Sequence, residues 1–463
     1  MKNSTIQNLL DVLANALQAL KIEIPASRLE DLAIVIHKAM SVEARYFHTA
    51  EHVLHLVNAA DPIQTLAALY HDIVYYQVDR GFSSEVAEIL AAYISRKDDE
   101  IFVVETLPPH DKNFLLALTI FGFSPGQKLL AYAGANEFLS TLVMAHELGE
   151  VLPEKELLKV MTYIEASIPF RGADAQGRGP FELLAMRLRE ASHKDGILMT
   201  EAEIKATIQG AVSFANCDVD SFAEADPSAF LDSTWKLLPE TNYALRSGEI
   251  YSIRDYRQAL EKMEGFLSTL DPTNVFHRYK GAPSEQKFQK MVARAQHNIA
   301  TAREFLGLKL VTMAILEALA EMTGGDAPLS LFLGDAEQHG EDMKRLDDFL
   351  PEVVSARDKT AAVYRVLETG IAGEPEFTDM KNSPTTLFLY NSLSSARIEQ
   401  LLRDAKAMFS GQLSHLDFLD RVDEPVLIAI ARACAIMVPT RSKALDLIAD
   451  RAINRLLNPS AKN

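Results

Sequence analysis

The sequence predicts an all-α protein, and three observations carry that expectation. Apolar residues recur at three- and four-residue steps through most of the 463 residues, the spacing that gathers them on one face of a helix. Runs of alternating β-branched residues, the mark of a half-buried strand, are scarce. The composition, 48% hydrophobic and 24% charged, is that of a globular chain with enough apolar surface for a core.

Taken in order, Leu9, Leu10, Leu13, Leu17 and Leu20 mark a first helix, and Leu29, Leu32, Ile36 and Met40 a second. Ser27 and Glu30 stand at the spacing of a capping box for that second helix. Further helices are expected at about 64–77, 83–95, 111–121, 136–150, 154–166, 181–193, 200–223 and 284–305. The polar pair Asn136-Glu137 opens one of them, with Asn136 in the role of N-cap. Ile101–Val104 is the best strand candidate, and it is short. Arg171–Pro180 packs three glycines, a proline and two arginines into ten residues and breaks the helical pattern, as do Asp271–Asn274 and Lys280–Pro283. Helical patterning continues beyond 305 but changes character, which places a domain boundary near 308, with domains 1–308 and 309–463. Leu310–Ala320 and Val426–Val438 are strongly apolar helices, suited to packing a bundle or to a homo-oligomeric or partner face, and Leu231–Leu238 with Trp235 reads as core.

Charge and cysteine usage exclude several functions. With 64 acidic against 46 basic residues the net charge is −18, a field that repels phosphate backbones and argues against general nucleic-acid binding. It leaves room for a local basic pocket that takes one small phosphorylated ligand. Two cysteines, Cys217 and Cys434, exclude a disulfide framework and a cysteine-rich zinc site. No signal-like segment opens the chain, and no uncharged apolar stretch approaches the roughly 20 residues that cross a bilayer. The expectation is a soluble, cytoplasmic protein with no membrane partner.

The histidines carry the chemistry. Of twelve, five (His37, His48, His52, His55 and His71) fall within 35 residues. His48, His52 and His55 would share one face of a helix. The segment Ala67–Tyr75 embeds the pair His71-Asp72 in apolar residues, and a buried carboxylate is costly unless it is paired or binds a cation. Imidazoles with a carboxylate suit a divalent metal such as Zn, Mn, Fe or Ni.

Two segments, Tyr46-Phe-His48-Thr-Ala-Glu-His52-Val and Leu66-Ala-Ala-Leu-Tyr-His71-Asp72-Ile-Val-Tyr75, resemble the HD superfamily of metal-dependent phosphohydrolases. The likeness covers roughly residues 40–305. It is closest to a branch of uncharacterised bacterial members and is more distantly similar to cyclic-nucleotide phosphodiesterases. The resemblance implies an HD-domain helical bundle followed by a second helical domain. It implies hydrolysis of a nucleotide or other small phosphorylated metabolite by a metal-activated water, with one or two divalent ions (Mn, Fe, Ni, Zn or Mg). It makes His52, His71, Asp72 and Asp218 the metal ligands, the last from Phe214-Ala-Asn-Cys-Asp218-Val-Asp220 with Asp220 as the alternative, and it gives His48 the place of a general acid. A second metal would draw on His110, His146 or His193, none of which sits in a clear motif.

Other residues could shape the pocket. Glu165 either serves catalysis, orienting the attacking water or ligating the metal, or pairs with Arg171. Arg45, Arg171 and Arg178 are candidate phosphate clamps, because a guanidinium forks onto two oxygens. Phe276–Lys280 forms a local basic patch. Cys217 is expected to pack rather than to react. Two other functions compete with hydrolysis: a nucleotide-binding sensor or interaction protein on an HD scaffold, and an HD-type diiron oxygenase.

Overall fold

In the computed structural model, residues 4–98, 100–108, 111–246, 251–334, 344–355, 357–371 and 383–458 are described. Helices account for nearly all regular structure in them, and the protein is predominantly all-α. In chain order the first are α1 (Thr5–Ala19), α2 (Ala26–Met40), α3 (Ala50–His55), α4 (Pro62–Tyr70), α5 (Tyr76–Asp79), α6 (Ser84–Leu90) and α7 (Lys112–Phe121). Next come α8 (Ala135–Leu148), α9 (Glu154–Ala166), α10 (Pro180–Lys194), α11 (Glu201–Asp218), α12 (Pro227–Thr241), α13 (Ile253–Thr269) and α14 (Glu285–Thr323). The last are α15 (Leu329–Leu333), α16 (Ala362–Thr369), α17 (Pro384–Ser392), α18 (Ser395–Phe409), α19 (His415–Arg421), α20 (Glu424–Met437) and α21 (Ser442–Leu457). A small antiparallel sheet, β1 (Ile94–Lys97), β2 (Glu100–Val103) and β3 (Lys128–Leu129), holds the strand expected near Ile101 in its centre.

The apolar stripes of the first helices face inward as their spacing requires. Leu9, Leu13 and Leu17 of α1 and Leu32, Ile36 and Met40 of α2 are buried in one core with α4, α8, α9 and α11. Several element ends differ from the sequence expectation. α2 starts at Ala26 behind Pro25, so Ser27 lies inside the helix and no capping box forms with Glu30. Proline fixes a backbone angle compatible with entry into a helix, and this displaces the serine by two positions. Gly134, in the left-handed region, precedes α8, which leaves Asn136 within the helix rather than at its cap. The helix expected at 64–77 stops at Tyr70, and that expected at 284–305 runs on to Thr323.

By contacts the chain divides into two units. One comprises Met1–Ala223 with Asp271–Ala295, the other Glu224–Leu270 with Gln296–Asn463. The expected boundary near 308 therefore falls inside α14, and residues 224–270 belong with the later part of the chain. In that second unit Trp235, Leu231 and Leu238 are buried, and α20 packs along α21. Among the described residues no single helix is long and apolar enough to cross a membrane; α20 and α21 reach that length only as a pair bent by 118°.

Candidate metal centre

Three segments of the first unit bring the candidate ligands together. α4 begins on Asp61, whose carboxylate accepts from the backbone N–H groups of Ile63 at 3.0 Å and Gln64 at 3.1 Å, with Pro62 at the first helical position. Every residue from Ile63 to Tyr70 is buried, so the helix end that presents His71 and Asp72 is fixed by the core. α3 supplies His52, and α11 supplies Asp218 as its last helical residue. α11 is well started, Thr200 and Glu203 forming a reciprocal capping box. His48 precedes α3 in a bend, so it does not share a helical face with His52 and His55.

His52 Nε2 lies 3.2 Å from Asp218 Oδ1 and 3.8 Å from Asp72 Oδ2. His71 Nε2 lies 3.1 Å from Asp72 Oδ2 and 3.4 Å from Asp218 Oδ1. One ligand atom each from His52, His71 and Asp218 falls within 4.8 Å of the others. Both Nε2 atoms are buried, yet neither makes a hydrogen bond. Donors that each stand about 2.1 Å from one ion are separated from one another by roughly 3.0–3.4 Å. The spacing here, with each nitrogen at ion-pair distance from a carboxylate oxygen, is also the spacing of donors around one divalent ion.

The His71 ring is fixed by its neighbours. Its Nδ1 lies 2.9 Å from the carbonyl of Ala68; a carbonyl only accepts, so Nδ1 carries a proton and, in the neutral ring that a metal would require, Nε2 would offer its lone pair inward. Phe214, one turn before Asp218, meets the His71 ring edge-on with centroids 5.6 Å apart. Burial alone would lower the His71 pKa, but the Asp72 and Asp218 carboxylates outweigh it and raise it well above the usual value. Burial likewise opposes ionisation of both carboxylates and is overcome. His71, His48 and His52 hold Asp72 far below the carboxylate range, and the close approach of His52 and His71 brings Asp218 down to about 2. With no cation between them, the two carboxylates favour the imidazolium form of His71.

No protein-family model, curated protein or solved structure matches the chain.

Behind the His-Asp pair stands α8. Ser140 Oγ accepts from the backbone N–H of Val74 at 3.1 Å, and Asn136 Oδ1 accepts from that of Tyr76 at 3.3 Å. These two side chains, one helical turn apart, satisfy the backbone where the chain leaves Asp72. Between them Glu137 keeps a buried Oε2 without a hydrogen bond. Burial, to which the Asp72 and Asp218 charges add, pushes its carboxyl up to about 7. The sequence expectation treated the Asn136-Glu137 pair as a helix cap and so missed both. The available signal was three polar residues at i, i+1 and i+4 of a helix whose other residues are mostly apolar.

The remaining expected site residues take other places. His48 lies beside the cluster, its ring 5.7 Å from that of His52 and edge-on to Tyr75 at 4.5 Å. Asp220 pairs with the exposed His55 at 3.3 Å, which leaves Asp218 at the cluster. Arg45 does not face a substrate: Nε and Nη2 donate to both oxygens of Asp79 at 2.9 and 2.6 Å, and Nη1 donates to the Asp72 carbonyl at 2.7 Å. It is a clamp on the ligand segment. Glu165 is fully buried and is held by Arg171 (Nη1 to Oε1, 2.6 Å) and by Arg187, so of the two expectations for it the pairing with Arg171 is the one seen. The Arg171 guanidinium is thereby engaged, and Arg178 pairs with Asp174 at 2.7 Å within its own loop. His146 and His193 are exposed, and His110 lies outside the described residues. The Cys217 thiol is raised to about 11, chiefly by burial, as an unreactive packing residue would be.

Proposed function

We propose that the protein is a divalent-metal-dependent phosphohydrolase of the HD type that cleaves a nucleotide or another small phosphorylated metabolite. The observation that carries this reading is the convergence of His52 Nε2, His71 Nε2 and the Asp218 carboxylate, with both nitrogens buried and unbonded. His52, His71 and Asp218 would hold the ion, with Asp72 beside them. A bound divalent ion lowers the pKa of a coordinated water and polarises a phosphoryl oxygen. The chain's own groups supply the proton steps. Glu137, whose carboxyl is pushed up to about 7 chiefly by burial, would be the group to accept the proton of an attacking water. His48, partly exposed beside Tyr75, is placed to protonate the departing oxygen. Phe214 and Tyr75 wall the cluster with apolar rings that limit stray water.

The test is metal stoichiometry by elemental mass spectrometry, run beside hydrolysis of chromogenic phosphate mono- and diesters. About one equivalent of metal is expected in the wild type and none in Asp218→Ala. His48→Ala and Glu137→Gln should retain the metal and lose on the order of 10²–10⁴ in turnover. Full metal loading and unchanged hydrolysis in Asp72→Ala and Asp218→Ala would end the proposal.

A further inference from the structure

The basic segment Phe276–Lys280 is not absorbed by the metal centre. It borders a cavity of about 430 Å³ that Arg171, Asn274, Arg278 and Lys280 help to line. An adjoining cavity of about 630 Å³ continues past His277 and Arg278 to Arg189. We propose that this groove binds the phosphate group of a small organic phosphate, as an anion site of its own.

Local charge balance is the first argument. Glu165 is one carboxylate shared by two guanidiniums, Arg171 and Arg187, so that cluster keeps one positive charge in excess. Arg278 is balanced by Glu285 at 2.6 Å. Lys280 lies over the ring of Tyr279 at 5.2 Å; the carboxylate that feels its charge, Glu201, is ion-paired with Arg189. His277 adds no charge: burial, with Arg171 beside it, lowers its pKa to about 4. Arg178 and Arg189 are balanced by Asp174 and Glu201, and Glu182 of the lining takes one positive charge back, so the groove keeps one positive charge in excess in a chain of net charge −18; its partly solvated guanidinium and ammonium groups match phosphate oxygens in chemistry.

Rigidity is the second. Asn216 accepts from the backbone N–H of His277 at 2.8 Å and donates to its carbonyl at 2.9 Å. Gln209 donates to the Lys280 carbonyl at 3.0 Å, and Tyr279 and Ala282 exchange backbone hydrogen bonds at 2.8 and 3.0 Å. Lys280 is held at φ 44°, a left-handed conformation that is unfavourable for a non-glycine residue and persists only where the surroundings enforce it. The ammonium is therefore presented from a fixed turn, which reduces the ordering cost of binding. Asn216 and Gln209 both belong to α11, the helix that ends in Asp218, so the groove is anchored to the element that carries a metal ligand.

The inference stands apart from the hydrolase reading, and its test keeps the two distinct. Inorganic pyrophosphate is titrated into the chelator-treated protein by calorimetry, with succinate as a carboxylate control, for wild type, Lys280→Ala and Asp72→Ala. The expected result is binding of pyrophosphate in preference to succinate, retained in Asp72→Ala and weakened about tenfold or more in Lys280→Ala, roughly the worth of one charge-assisted contact. Circular dichroism confirms that the exposed-loop variant is folded. Absence of pyrophosphate binding, equal binding of succinate, or binding that Asp72→Ala abolishes and Lys280→Ala leaves unchanged would each overturn the inference.

Discussion

Lys309 takes its ammonium into the second unit with 3% of its surface exposed. Its Nζ donates to Ser383 Oγ at 3.1 Å and lies 5.3, 5.6 and 5.8 Å from the ring centres of Trp235, Phe305 and Tyr256. Burial lowers its pKa from 10.5 to about 7. In the window between these values the unfolded chain holds the proton and the folded chain does not, so stability rises with pH from about 7 towards about 10.5. Below about 7 both states are protonated and the full desolvation penalty is felt, on the order of 5 kcal/mol for a shift of this size. Lys309→Met should therefore raise the melting temperature clearly at pH 6.5 and much less at pH 9.5; equal gains at both would contradict the shift. The candidate metal-binding residues were legible in the sequence for a related reason. Histidine and aspartate inside apolar helices need a cation or a partner wherever they occur. Partner choice was not legible. Arg45 finds Asp79 across 34 residues and Glu165 is shared with Arg187 across 22, and only tertiary packing selects such pairs over solvent or substrate.

Among the elements, α11 couples the fold to the site through a glycine. A Cβ on Gly210 would stand 1.7 Å from the Tyr163 hydroxyl oxygen. That hydroxyl donates to Asp61 at 3.1 Å, the residue that caps α4, and the Tyr163 ring stacks on Phe214 with centroids 6.2 Å apart. Gly210→Ala must displace Tyr163 and with it both the α4 cap and the ring that seats His71. A loss of about 1–3 kcal/mol is expected, with weaker metal binding, read by urea denaturation and metal titration. Gly265 in α13 has nothing within 4 Å of its added Cβ. Gly265→Ala should gain about 0.5–1 kcal/mol, because alanine relieves the entropic cost of a helical glycine. Two helical glycines with opposite signs would separate packing from propensity. Helix existence was legible from periodicity, while ends such as those at Pro25 and Gly134 depended on backbone geometry that apolar spacing does not encode.

At the level of the whole molecule, the second unit is assembled from two stretches of chain that flank residues 271–295. A helical pattern that runs unbroken through 308 gave no sign of this return, since periodicity reports which face of a helix is apolar but not which helix covers it. The ties are specific. Arg257 of α13 is buried and donates to both carboxylate oxygens of Glu317, at 2.9 and 3.2 Å. The backbone N–H of Ile253 donates to the Ala327 carbonyl at 2.9 Å, and that of Leu329 to the Tyr251 carbonyl at 3.1 Å. Glu264 receives Lys406 at 2.7 Å. A chain ended at residue 308 would keep α12 and α13 but lose Glu317, Ala327 and Lys406. Arg257 would keep Glu261 at 2.8 Å but lose the buried Glu317, and the apolar face of α13, including Leu260 and Leu267, would lose the later helices of its unit and stand exposed. The expected outcome for residues 1–308 is aggregation on size-exclusion chromatography and rapid proteolysis within 224–270, against a resistant full-length chain. A monodisperse fragment that resists protease there would mean that residues 224–270 fold with the first unit after all.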